Sequence, residues 1–276
     1  MHRKRTLALA AVLWLAGSTL PARADDVAEK GRDIFKKNQH AVVTVQVVVK
    51  ATAAGGRSAE LKQDITGTVI DPSGLTVLAL SSCDPYELRR RVTPEYKVDS
   101  EVSDVKILLD DGTDLAADVV LRDRDLDLAF IRPKTRPANP MTAIDLANSG
   151  PAQILDEVIT LNRLNRVSSR AYAVSVERIT AVVQKPRTFY IPDSTMTATS
   201  SGSPAFSLDG KILGVFVMRA IIGTGDSRDN PVTSIILPAE EILKGAKQAP
   251  EAKGESEKKE DPKPEAKEPK DGAEKK

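Results

Sequence analysis

Two side chains in the 276-residue sequence could serve as a base at neutral pH without any shift in acidity, His2 and His40. His2 falls in a leader segment treated below, so His40 is the histidine left to a folded domain, where its place before the first strand reads as an exposed helix end. The single cysteine, Cys83, excludes an intrachain disulfide framework and a zinc site built from several cysteines. A cysteine nucleophile needs a cationic or basic neighbour to hold it as thiolate. With no histidine near it in the sequence, Cys83 is expected to be an inert thiol. No cofactor and no metal ion is expected. The run Arg89-Arg90-Arg91 lies in a long charged stretch from Cys83 to Ser103, expected to be a surface loop beside a cleft that could receive an acidic partner.

The chain carries 40 Lys plus Arg against 39 Asp plus Glu, for a net charge of +1. Phosphate binding needs a clustered basic excess, so no nucleic-acid partner is expected. Residues 1–24 hold Arg3, Lys4, Arg5 and Arg23 with no acid, whereas residues 247–276 hold nine lysines and nine acids. The segment between is therefore slightly acidic.

Arg3-Lys4-Arg5, the apolar run Leu7 to Ala16 and the small-x-small triplet Ala22-Arg23-Ala24 read as a cleaved signal peptide over residues 1–24. The apolar run is well short of the ~20 residues that span a bilayer, so the mature chain is expected to be periplasmic or secreted, with no membrane span. Residues 25–40 read as a helical lead-in. Residues 247–276 lack every large apolar side chain and contain Pro250, Pro262, Pro264 and Pro269, so they are expected to be disordered.

The elements in between read as all-β. Ala41 to Lys50, Leu61 to Ile70 and Leu75 to Leu80 are strand-like, parted by Gly55-Gly56 and by Asp71-Pro72-Ser73-Gly74. Val105 to Leu109 and Leu115 to Leu121 flank Asp111-Gly112, a hairpin signal, and Leu128 to Arg132 completes six. Six more follow at Glu157 to Leu161, Tyr172 to Val183, Phe189 to Ile191, Ser203 to Ser207, Ile212 to Met218 and Val232 to Leu237. Helical pattern is confined to the margins, at Val27 to Asn38 and Ala239 to Ala246. Two groups of six short strands predict two packed six-stranded antiparallel β-barrels within a domain spanning residues 41–246.

Three segments resemble, in order, the trypsin-like serine peptidases of the HtrA/Deg type without the PDZ domain. Gly67 to Leu75 is similar to the strand-turn-strand before that family's catalytic histidine. Asp125-Leu126-Asp127-Leu128-Ala129-Phe130 resembles the segment carrying its aspartate, and Ser201-Gly202-Ser203-Pro204 its nucleophile loop. The resemblance implies a double-barrel fold with Ser201 as nucleophile, Asp127 as the orienting carboxylate, and the backbone of Thr199 and Ser201 at the oxyanion hole. It also exposes two departures. Seven residues beyond Gly74, where the family has histidine, the chain has Ser81. Where the family's nucleophile loop has glycine, this chain has Thr199 and Ser203. Read alone, the Asp127 segment is also an ordinary strand start and Ser-Gly-Ser-Pro an ordinary turn.

A serine hydroxyl requires a base within hydrogen-bond reach before it attacks a carbonyl. With Ser81 in place of that base, the expected function is a pseudoprotease whose cleft holds a polypeptide segment. The competing expectation is an active endopeptidase with an unusual base, such as a lysine or His40.

Overall fold

The computed structural model describes residues 23–93, 95–193, 200–220 and 232–251. The first six strands are β1 (Val42–Ala53), β2 (Ser58–Val69), β3 (Thr76–Ala79), β4 (Val98–Leu108), β5 (Asp114–Asp123) and β6 (Leu128–Pro133). The second six are β7 (Glu157–Arg163), β8 (Tyr172–Val183), β9 (Phe189–Pro192), β10 (Pro204–Ser207), β11 (Ile212–Ala220) and β12 (Val232–Pro238). They close into two antiparallel barrels, ordered β1-β2-β3-β6-β5-β4 and β10-β11-β12-β9-β8-β7. The two-barrel, all-β expectation therefore holds strand group by strand group.

Alternation of side chains explains how the barrels fill and how they meet. Val43, Val45, Val47 and Val49 of β1 point into the first barrel with Leu78, Ala129 and Ile131. The opposite parity on β3 and β6, Val77, Ala79, Leu128 and Phe130, faces the second barrel instead. There it packs with Ile159, Leu161, Val215, Val217 and Leu237. Buried on both faces, β3 and β6 read in sequence as continuous apolar runs rather than as alternation. Helix α1 (Arg23–Asn38) and the C-terminal helix Ala239–Ala246 add Ile34 and Ile242 to this middle layer.

Helices are not confined to the margins. Between β3 and β4 the chain forms α2 (Leu80–Cys83) and α3 (Pro85–Val92), so the C-terminal helix is α4. The arginine run expected in a surface loop thus lies on a helix. The cause is a local start signal. The Asp84 carboxylate accepts hydrogen bonds from Tyr86 N (3.0 Å) and Glu87 N (3.3 Å), with Pro85 at the first helical position. Arg89, Arg90 and Arg91 then fill the last turn, where cations suit the helix dipole.

The ends of the domain differ from expectation in one detail each. Arg23 and Ala24 already belong to α1, and residues 1–22 of the expected signal peptide lie outside the described residues. At the other end, the segment expected to be disordered from residue 247 begins packed: Ala249 is buried and Arg132 Nε donates to Pro250 O at 2.9 Å. Ala249 joins the core cluster, its N–H donating to Ala246 O at 3.1 Å in the turn that follows α4. Residues 252–276 lie outside the described residues.

Candidate functional site

Asp127 closes the turn between β5 and β6. Asp123 Oδ1 accepts from Asp125 N and Leu126 N, both at 3.0 Å, which folds the turn tightly. Asp127 then takes φ +57°, in the left-handed region that aspartate tolerates better than most residues. Its carbonyl accepts from Leu80 N at 2.8 Å, and its carboxylate is turned inward, 1% exposed. There it receives three donors: Ser81 N at 2.7 Å on Oδ1, and Ser81 Oγ at 2.7 Å and Met218 N at 2.8 Å on Oδ2. Burial dominates and pushes the carboxyl up from 3.8 to about 6, against the Met218 and Ser81 hydrogen bonds and the nearby Arg91, which pull it down.

Ser81 is itself buried, on the first turn of α2 immediately after β3. The structure thus brings Ser81 and Asp127 together through both the backbone and the side chain of Ser81. The hydroxyl sits on the carboxylate oxygen that an imidazole would need as its anchor.

Ser201 lies 3% exposed in a turn closed by Ser203 N to Ser200 O at 3.1 Å. Gly202, at φ +89°, is demanded by that turn and by its surroundings, since a Cβ there would sit 2.3 Å from Thr66 O. Gly202 N donates to Phe216 O at 2.8 Å and its carbonyl accepts from Thr68 Oγ1 at 2.7 Å. The Ser201 turn is therefore clamped between β11 of one barrel and β2 of the other, on the same β11 strand that reaches Asp127. Ser203, where the resemblance has glycine, places a hydroxyl that is buried without a partner among the described residues. Thr199 lies outside the described residues.

The family model for the trypsin-like peptidase domain matches residues 35–215, more than half of the chain. This protein belongs to the trypsin-like peptidase family. It is also 25% identical over 160 residues to a protein of Rickettsia conorii (strain ATCC VR-613 / Malish 7) described as a probable periplasmic serine endoprotease, DegP-like. That stretch is 54% of this chain and 27% of the relative, so the match spans about a quarter of the relative's length.

Against that family pattern, the other candidates of this trypsin-like domain fall away from Ser201. His40 Nδ1 lies 2.9 Å from Asp110 Oδ2 and 3.2 Å from the Tyr172 hydroxyl. Arg163 joins the same group, 3.1 Å from Asp110 Oδ1 and stacked 3.9 Å over the Tyr172 ring. This group lines a pocket of about 160 Å³, and its hydrogen bonds run to one another and to Thr44, not to Ser201. Cys83 is fully buried, and burial pushes its thiol up to about 12, so it carries no thiolate at neutral pH. Among the described residues no three His, Cys, Asp or Glu side chains cluster as a metal site, and no helix is long and apolar enough to cross a membrane.

Two participants escaped the sequence reading. Met218 contributes a backbone N–H, which no residue type announces. Arg91 was visible in the arginine run, but its electrostatic reach to Asp127 depends on α3, and the Asp84-Pro85 start signal was the clue to that helix.

Proposed function

We propose that this protein is an exported pseudoprotease: a trypsin-like domain that binds an extended polypeptide segment in its cleft and does not cleave it. One observation carries the reading. Ser81 Oγ occupies Asp127 Oδ2 at 2.7 Å, the contact through which a carboxylate would orient a histidine base. A serine hydroxyl left without a base keeps its intrinsic, weak nucleophilicity. Substitution of glycine by Ser203 in the nucleophile loop, and by Thr199 beside it, supports the same reading, because the backbone donors to an oxyanion depend on that loop's shape. The clefts of such folds hold peptide along a strand edge, which needs no base. Export is supported by the basic and apolar character of residues 1–24 and by the periplasmic relative.

The test is labelling of the purified protein with a fluorophosphonate at neutral pH. The expected result is no labelling of Ser201 above that of the unfolded chain. Rapid labelling that Ser201→Ala abolishes would overturn the reading in favour of an active endopeptidase with an unusual base.

A further inference from the structure

The arginines of α3 are not equivalent. Arg90 is consumed locally: it pairs with Glu87 at 2.6 Å and Asp84 at 3.5 Å, and donates to Val98 O and Ser100 Oγ. Glu87 also holds Arg124 at 2.6 Å, so neither acid of this helix region is left over. Arg89 is exposed and lies 5.8 Å from the Tyr96 ring centroid. Arg91 is half-buried and has no hydrogen bond or ion pair among the described residues. The carboxylate in its electrostatic reach is Asp127, whose oxygens already accept three hydrogen bonds.

A second cation lies on β11, Arg219, on the same strand parity as Val215 and Val217, which pack in the layer between the barrels. Helix α3 packs against β11, and β11 carries Arg219 directly after Met218, the residue whose N–H is given to Asp127. Arg219 is half-buried, stacked 4.8 Å over the Phe189 ring, and pairs with no carboxylate among the described residues. The edge of β11 that serves β10 is engaged through Phe216, by Ser203 O and Gly202 N. Beyond Phe216, at Met218 to Ala220, that edge runs on past Asp127 toward α3, while the other edge stays paired to β12.

Two half-buried guanidinium groups without a carboxylate ion pair among the described residues, one on α3 and one on the β11 strand it packs against, form a receptor for negative charge. Partial removal from water strengthens each contact, and the planar fork of arginine matches a carboxylate better than any neutral group. Building on the peptide-binding reading above, we infer that this end of the cleft selects a peptide bearing an acidic side chain, whose carboxylate is met by Arg91 and Arg219.

The test compares two short fluorescein-labelled peptides by anisotropy on the full chain, one alternating valine with glutamate and the other alternating valine with glutamine. The glutamate peptide is expected to bind about tenfold more tightly at low salt, equivalent to about 1.4 kcal/mol, with the advantage shrinking as salt is raised. Arg91→Gln combined with Arg219→Gln should erase that advantage, so that the two peptides bind with equal affinity. Equal affinity of the two peptides for the unmodified protein would overturn acidic selection while leaving peptide binding intact, and it needs no variant to fold. A preference that survives in the double variant would overturn the assignment to these arginines. Failure of both peptides to bind would overturn acidic selection together with the reading beneath it.

Discussion

Asp127 should make this protein less stable as the pH rises through the mildly acidic range. Burial raises its pKa from 3.8 in the open chain to about 6 in the fold, so between these values the folded state holds a proton that the unfolded state releases. The contribution of Asp127 is therefore fully present below about pH 4, is lost as the pH rises to about 6, and is level beyond. A shift of roughly two units at about 1.4 kcal/mol per unit predicts a loss of about 3 kcal/mol. Full burial at 1% exposure leaves little solvent screening to discount. Asp127→Asn cannot titrate, so its stability serves as the reference, and the other acids of the chain cancel in the difference. Asparagine also gives up one acceptor to the Ser81 and Met218 donors, but that cost is the same at every pH. Urea unfolding of both proteins from about pH 4 to about pH 7 is the assay. The wild type should lose about 3 kcal/mol relative to the variant across that window. A difference that is flat, or that rises with pH, would refute the argument. It would mean that three hydrogen bonds hold the carboxylate ionised despite its burial.

Two further outcomes are expected. Ser81→His should restore little ester hydrolysis by itself, and adding Thr199→Gly should raise the rate more in that background than in the parent, since one missing oxyanion donor costs on the order of 100- to 1,000-fold. Parent activity equal to the double variant's, with Ser201→Ala as blank, would show a base other than the one sought at residue 81. Truncation after Glu251 should leave the melting temperature almost unchanged, whereas truncation after Ala246 should lower it by removing buried Ala249 and the Pro250 acceptor of Arg132; equal melting temperatures for the two truncations would refute the docked end.

The barrels were legible because their signals are local and repeated. The β-branched run of β1 and the Asp111-Gly112 turn each dictate a strand or hairpin whatever the rest of the chain does. The segments around Asp127 and Ser201 stood out by order and spacing along the family's pattern, and the family match spans both. What the sequence could not supply was contact between distant segments. Nothing near Met218 says that its N–H crosses from one barrel to a carboxylate of the other. The helical start at Asp84-Pro85 was written in the sequence, but it lay inside a stretch dominated by charge, and charge alone reads as loop. Ala249 was misjudged for the opposite reason. A tail poor in large apolar groups still docks where one methyl group fits a gap and one carbonyl meets an arginine.

Asp127 has a structural role whatever the chemistry of the site. The carboxylate takes a donor from α2, which leads out of the first barrel, and another from β11 of the second. It is thus a polar tie across the apolar layer formed by Leu128, Phe130, Val215 and Val217. A buried acceptor with three donors cannot be removed without leaving those donors unpaired, at about 1–3 kcal/mol for each buried orphan. The same tie holds Met218 to the first barrel and so fixes the edge of β11 beside α3. These contacts keep the wall formed by α2 and β11 in place whatever the chemistry of the site.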